Sequence, residues 1–215
     1  MIHLVLGGAR SGKTRYATDA AAALSTQGYE CIYIATAQAL DEEMRARIAR
    51  HREDRAEDTL RWITVETPLL LAESLAQYAR KDRVIIVDCM TLWLTNQLLA
   101  HEPPADSVTS QECEKEPEKK VEQEPMGGAN SENLDASPSV DRPWPEAKAA
   151  LLELLPTLEG EIYLVSNEVG CSIVPLGALN RRFVDEAGWL HQEIARVADS
   201  VVLISAGLPM RLKGA

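Results

Sequence analysis

Aromatic side chains are scarce in this sequence, about 5% of 215 residues with a single phenylalanine, while apolar residues make up 46%. A core built from so few rings has to be assembled from Ala, Leu, Ile and Val, which suits an α/β arrangement. Paired cysteines are missing too. Cys31, Cys89, Cys113 and Cys171 stand far apart with no C-x-x-C spacing, which argues against a disulfide or zinc framework and for reduced thiols in a cytoplasmic protein. The N-terminus lacks a basic segment followed by a short apolar run and a cleavage site. No stretch approaches the roughly 20 apolar residues of a membrane span. Positive charge is also in deficit, at a net −11. That balance disfavours nucleic acid and anionic membranes, both of which are met by Lys and Arg.

The charge is unevenly spread. Residues 101–142 hold eleven of the 33 acidic and four of the 22 basic residues, a net of −7, which leaves −4 for the rest. The same stretch is rich in Glu, Pro, Ser, Gly and Asn, with scattered apolar residues. Such a composition cannot bury enough surface to offset its ordering entropy, so 101–142 is expected to be a disordered acidic insertion. It would interrupt a single nucleotide-binding domain spanning 1–215. A chain of this size buries roughly 70% of its unfolded surface and needs no covalent staple.

Outside the insertion, short apolar runs alternate with helical patterns. His3–Leu6, Cys31–Ala35, Val84–Val87, Ile162–Val165 and Val201–Ile204 read as strands buried on both faces, with Leu60–Val65 a more alternating sixth. Lys13–Thr26, Leu40–Asp54, Pro68–Arg80, Thr91–Ala100, Pro145–Leu158 and Ala178–Ala198 have helical length and period, and Gly28 and Gly160 follow two of them. Strand–helix alternation predicts a mostly parallel sheet with helices on both faces. Pro209–Lys213 would add an antiparallel edge strand.

Gly7-Gly8-Ala9-Arg10-Ser11-Gly12-Lys13-Thr14 matches G-x-x-x-x-G-K-[ST] in full. Glycines let such a loop turn its N–H groups inward around phosphates. Lys13 would reach the β/γ-phosphates, and Thr14 would offer its hydroxyl to Mg²⁺. The apolar run before the motif and the helical pattern after it are the setting the chemistry requires. The fold class is therefore α/β of the P-loop NTPase kind, holding the phosphates of a nucleoside triphosphate.

Arg83-Val84-Ile85-Ile86-Val87-Asp88 puts a carboxylate at the end of a second buried strand, where an acidic contact to the metal belongs. The competing reading has Asp88 cap the helix that follows. A switch GTPase would need D-x-x-G and N-K-x-D; Asp88 is followed by Cys-Met-Thr, and Ser166-Asn167-Glu168-Val169 matches the second only superficially. On the helix beginning near Leu40, Met44, Ile48 and His51 share one face. By itself this is an ordinary apolar stripe ending in a histidine.

Together GGARSGKT, IATAQALDEEMRARIARHREDR, VSNEVGCSIVP and NRRFVDEAGWLHQEIARVADSVVLISAGLPMRLK resemble one family over residues 1–100 and 143–213. It is the bifunctional adenosylcobinamide kinase / adenosylcobinamide-phosphate guanylyltransferase family of cobalamin biosynthesis. The acidic insertion is the main departure. The resemblance implies that ATP or GTP phosphorylates the aminopropanol hydroxyl of a small corrinoid substrate. It further implies that His51 attacks the α-phosphate of GTP, releases pyrophosphate and carries GMP to the phosphorylated corrinoid. A neutral imidazole is a competent nucleophile near pH 7, and Arg47, Arg52 and Arg55 would offset phosphate charge.

The same resemblance implies nucleotide contacts from Ile34, Ala35 and Thr36, from Arg52, Glu53, Asp54 and Arg55, and from Glu66 and Asp88. Glu66 reads equally as a solvated strand end. Asn167 and Glu168 read either as substrate or metal contacts or as turn formers before Gly170. A homo-oligomer, a trimer, is implied as well. Loss of one activity, or a scaffold role for the acidic insertion, are the alternatives.

Overall fold

Apolar residues alternate between two cores along every buried strand. The computed structural model describes residues 1–38, 60–101, 142–171 and 175–214, together with Glu42, Arg45, Ala46 and Ala49. Seven strands form one sheet: β1 (Ile2–Gly7), β2 (Glu30–Ala35), β3 (Trp62–Glu66), β4 (Arg83–Asp88), β5 (Glu161–Asn167), β6 (Ser200–Ser205) and β7 (Leu208–Lys213). Their order is β3-β2-β4-β5-β1-β6-β7, parallel throughout except for the β6–β7 pair.

Successive side chains on a strand point to opposite faces. Ile32, Ile34, Leu4, Ile85, Val87, Ile162 and Leu164 therefore enter one core, and Cys31, Tyr33, Val5, Val84, Ile86, Tyr163 and Val165 the other. Helices α2 (Leu71–Tyr78), α3 (Met90–Ala100), α4 (Trp144–Leu154) and α5 (Ala178–Val197) cover the first face. There Trp93 and Trp144 meet edge to face at 5.3 Å. Helix α1 (Lys13–Ser25) covers the second with Ala17 and Ala21, whose small side chains let it lie close to the sheet. The expected α/β sheet with helices on both faces is what the chain forms, with the antiparallel strand at its edge.

Several boundaries differ from expectation for tertiary reasons. Helix α2 begins at Leu71 rather than Pro68, because the carbonyls of Pro68 and Leu69 are taken by side chains of α3. Asn96 donates to Pro68 at 3.0 Å, while Trp93 and Gln97 each donate to Leu69 at 2.9 Å. Helix α4 starts one residue early at Trp144, with Pro145 in its first turn where no N–H is needed. It closes in a 3₁₀ turn at Leu155–Thr157.

The chain divides into two units, Met1–His101 with Arg142–Ala215, and Glu102–Asp141. The second unit, which holds nearly all of the acidic insertion, lies outside the described residues. Its edges do not: His101 caps α3, and Arg142 pairs with Glu73 at 3.4 Å. Of the helix expected over 40–54, Glu42, Arg45, Ala46 and Ala49 are described, and they are helical and exposed. The three described cysteines, Cys31, Cys89 and Cys171, are in no disulfide. Among the described residues, no helix is long and apolar enough to cross a membrane.

Candidate functional site

Parallel strands all deliver their carboxyl ends to one edge of the sheet, where open α/β folds bind ligands. The glycine-rich segment Gly7–Thr14 leaves β1 there and enters α1. Gly7 has no room for a side chain: a Cβ would stand 2.5 Å from the Ile204 carbonyl oxygen and 2.6 Å from Ser11 Oγ. Gly12 holds φ at 99°, a left-handed value glycine adopts without strain, and N-caps α1 with no capping side chain. The first turn of α1 therefore keeps its N–H groups for an anion.

Neighbouring strands brace the loop. Gly207 donates to the Ser11 carbonyl at 2.9 Å, and Glu168 N–H to the Gly7 carbonyl at 2.9 Å. Lys13 is buried, with Nζ 2.5 Å from the Gly8 carbonyl. Ala9 and Arg10 are exposed at the tip, Arg10 at φ 54°. Ser11 Oγ is buried and has no hydrogen-bond partner. A buried hydroxyl without a partner costs about 1–3 kcal/mol, and a phosphate oxygen would satisfy it.

Asp88 ends β4 two strands away from β1. Its Oδ2 accepts from Thr14 Oγ1 at 3.0 Å and from Tyr33 OH at 2.6 Å. Cys89, not Asp88, N-caps α3, so the carboxylate faces the loop rather than the helix. The Asp88–Cys89 peptide is cis. Thr14 and Asp88 thus form a pair of hard oxygen donors beside the phosphate loop. That pattern suits Mg²⁺, which takes one or two protein oxygens and completes its shell with water and substrate phosphates.

The other expected residues divide. Ile34 is fully buried in the core, so its side chain is not at the surface of the site. The Thr36 hydroxyl is occupied, donating to Cys89 O at 2.7 Å and accepting from Cys89 N–H at 2.9 Å. It clamps the end of β2 to the end of β4. Ala35 and Glu66 pair in register and lie at the open edge. Glu66 is four strands from β1, roughly 19 Å at the usual inter-strand spacing, and so belongs to a different part of the site from the phosphate loop. His51, Arg52, Glu53, Asp54 and Arg55 lie outside the described residues, as does Arg47.

Three groups at the site are not evident from the sequence. Tyr33 holds Asp88, and its place on the same face as Cys31 and Ala35 is its one signal. Cys89 is a buried thiol pushed up to about 11, first by desolvation and then by Asp88, which keeps it protonated and unreactive. His191, on α5, is buried with Nε2 2.7 Å from Ser166 Oγ and Nδ1 3.8 Å from Glu168 Oε2. Nothing in the sequence links residues 25 positions apart.

Comparison with known proteins agrees with this geometry. The family model described as "Cobinamide kinase / cobinamide phosphate guanyltransferase" matches residues 3–212. The "Bifunctional adenosylcobalamin biosynthesis protein CobP" of Pseudomonas aeruginosa is 45% identical over 214 residues, covering 100% of this chain and 98% of that protein. Proteins named "Bifunctional adenosylcobalamin biosynthesis protein CobU" are 32% identical in Salmonella typhimurium and 33% in Escherichia coli. Each match covers 99% of this chain and 100% of the relative. Among solved structures, the flagellar accessory protein FlaH of Methanocaldococcus jannaschii aligns with a TM-score of 0.44 at 13% identity, over 99% of this chain and 78% of that one. A phosphate loop facing a strand-end carboxylate, inside a match that runs almost end to end, makes this chain a member of the cobinamide kinase / cobinamide phosphate guanyltransferase family and an enzyme with that family's two activities.

Proposed function

We propose that both transfers use the carboxyl edge of the sheet and that His51 is the covalent carrier of GMP. The observation that bears the most weight is the 3.0 Å contact between Thr14 Oγ1 and Asp88 Oδ2, beside a loop that buries Lys13. It brings together the parts that phosphoryl transfer needs, namely a backbone cradle, a cation and a place for a metal. Thr14 and Asp88 would hold Mg²⁺, which when bound neutralises charge on the phosphates.

In the first reaction the hydroxyl of adenosylcobinamide attacks the γ-phosphorus of ATP or GTP. Gly7, Gly8, Ala9, Arg10, Ser11 and Gly12 supply the cradle, and Lys13 stabilises the charge that develops. In the second, His51 attacks the α-phosphorus of GTP, pyrophosphate leaves, and the GMP passes to the phosphorylated corrinoid to give adenosylcobinamide-GDP. Ala35, Thr36 and Glu66, with Arg52 to Arg55, would contact this guanine nucleotide, Ile34 through its backbone. Two separate regions of one edge then serve two nucleotide positions, which fits the distance between Glu66 and β1. Cys31 and Cys89, buried thiols outside any disulfide, support a cytoplasmic enzyme. Leu208, Met210 and Leu212, all exposed on β7, support association with further copies; the trimer is what the family resemblance implies.

Incubation with α-labelled GTP tests the covalent step. The label should stay with the denatured protein, be released by acid, and be absent from His51→Ala, while that variant still phosphorylates adenosylcobinamide. A label that survives in His51→Ala would remove the histidine from the mechanism.

A further inference from the structure

Strand β5 lies between β1, which bears the phosphate loop, and β4, which bears Asp88. Whatever β5 presents at its carboxyl end therefore emerges beside the place where a γ-phosphate would sit. Its register puts Asn167 level with Gly7, and Val165 level with Asp88. Glu168 is the next residue, and its N–H is tied to the Gly7 carbonyl at 2.9 Å. One strand spacing, about 4.8 Å, separates β5 from β1, against roughly 19 Å for Glu66 on β3.

Asn167 and Glu168 have different occupations. The Asn167 amide donates to Thr91 Oγ1 at 3.2 Å, across to the start of α3. The Glu168 carboxylate is 29% exposed, accepts from Gly170 N–H at 2.8 Å through Oε1, and turns Oε2 toward His191. His191 is buried, and desolvation lowers its pKa, with Glu168 opposing, so one ring nitrogen carries the single proton of a neutral imidazole. A carboxylate facing Nδ1 favours the proton there. Nε2 is then the acceptor for the Ser166 hydroxyl at 2.7 Å. Ser166 is fully buried, so this Ser–His–Glu chain has no exposed nucleophile at its serine end. It runs the other way: a buried hydroxyl fixes a ring, and the ring presents an N–H to a carboxylate that reaches solvent.

We propose that Glu168 takes the acceptor hydroxyl's proton in the kinase reaction, and that His191, itself oriented by Ser166, is a positioning residue for it. The inference deepens the kinase half of the reading above and rests on it. The acceptor oxygen forms a bond to the γ-phosphorus. The bond from that phosphorus to the β,γ-bridging oxygen breaks, and the nucleoside diphosphate leaves with the electron pair. The hydroxyl proton passes to the Glu168 carboxylate and from there to water. Asp88 is committed elsewhere: it is the carboxylate that would hold Mg²⁺ with Thr14, and its Oδ2 accepts from Thr14 and Tyr33.

Glu168→Gln keeps the size of the side chain and an oxygen for Gly170, but cannot take a proton. Its kcat for phosphorylating adenosylcobinamide should fall about 10²–10⁴-fold, with KM for the nucleotide within about threefold of wild type. Labelling with α-labelled GTP should be unchanged, and Glu168→Asp should recover part of the kinase rate. His191→Gln should lose about tenfold in the same kcat at unchanged nucleotide KM. A kinase kcat for Glu168→Gln within about threefold of wild type would overturn the proposal. So would an equal loss of both activities, which would leave Glu168 a turn former only. A wild-type chain that labels with GMP but does not phosphorylate adenosylcobinamide would instead sink the kinase reading, and this proposal with it.

Discussion

The two edges of the sheet are built from similar side chains put to opposite uses. At the amino edge, polar groups close on one another. His3 bonds Ser200 through Nδ1 and Glu161 through Nε2, both at 2.7 Å, and its ring stacks on Tyr163 at 4.4 Å. Asp199 and Ile2 exchange two further hydrogen bonds, at 2.6 and 2.8 Å. These contacts stitch β6, β1 and β5 together and expose little that could bind a ligand. At the carboxyl edge β1 and β5 lead instead into a buried hydroxyl without a partner, a helix start without a capping side chain, a left-handed Arg10 and a partly exposed Glu168. An unpartnered buried hydroxyl is costly in a fold, and at Ser11 a phosphate oxygen would complete the structure.

The contrast can be broken by mutation. Lys13→Ala should have the largest effect, cutting the kinase rate by about 10²–10³-fold or more with little change in melting temperature; a large stability loss at retained rate would reverse the assignment of the edges. Tyr33→Phe removes one donor to Asp88, and kcat for the kinase reaction should fall about tenfold, the equivalent of about 1.4 kcal/mol, as steady-state kinetics would show. At the opposite edge, His3→Ala should lower unfolding free energy by about 1–3 kcal/mol, read from denaturant titration, and leave kcat per folded molecule unchanged.

A smaller effect sharpens the comparison. Because His191 is depressed in the folded state, the unfolded chain binds its proton first as pH falls below about 6.5. Stability should then drop with falling pH, by at most about 1.4 kcal/mol per pH unit for one proton. His191→Gln should flatten that part of the curve. An unchanged slope would mean that the buried ring is not the group responsible.

Much of this architecture is legible in the sequence. Gly7 and Gly12 can be read because close approach and a left-handed turn leave few substitutes, and Asp88 because four apolar residues lead to it. The β7 strand follows from the apolar alternation of its tail, but the hairpin depends on Ala206 and Gly207 at φ 51° and 79°. Strand order is not legible, since placing β5 between β4 and β1 depends on which helices pack where. Tyr33 and His191 escape for the same reason: their partners are distant in the chain, and local pattern shows only that both belong to a core. The His51 segment is read from resemblance, and its residues lie outside those described.

The most direct test is a crystal structure with Mg²⁺ and a nucleoside triphosphate whose β,γ-bridge is an imido group. The account predicts the β- and γ-phosphates on the loop Gly8–Thr14, one phosphate oxygen on Ser11 Oγ, and Mg²⁺ between the Thr14 hydroxyl and the Asp88 carboxylate. A triphosphate seated elsewhere, with Ser11 Oγ still lacking a partner, would contradict it.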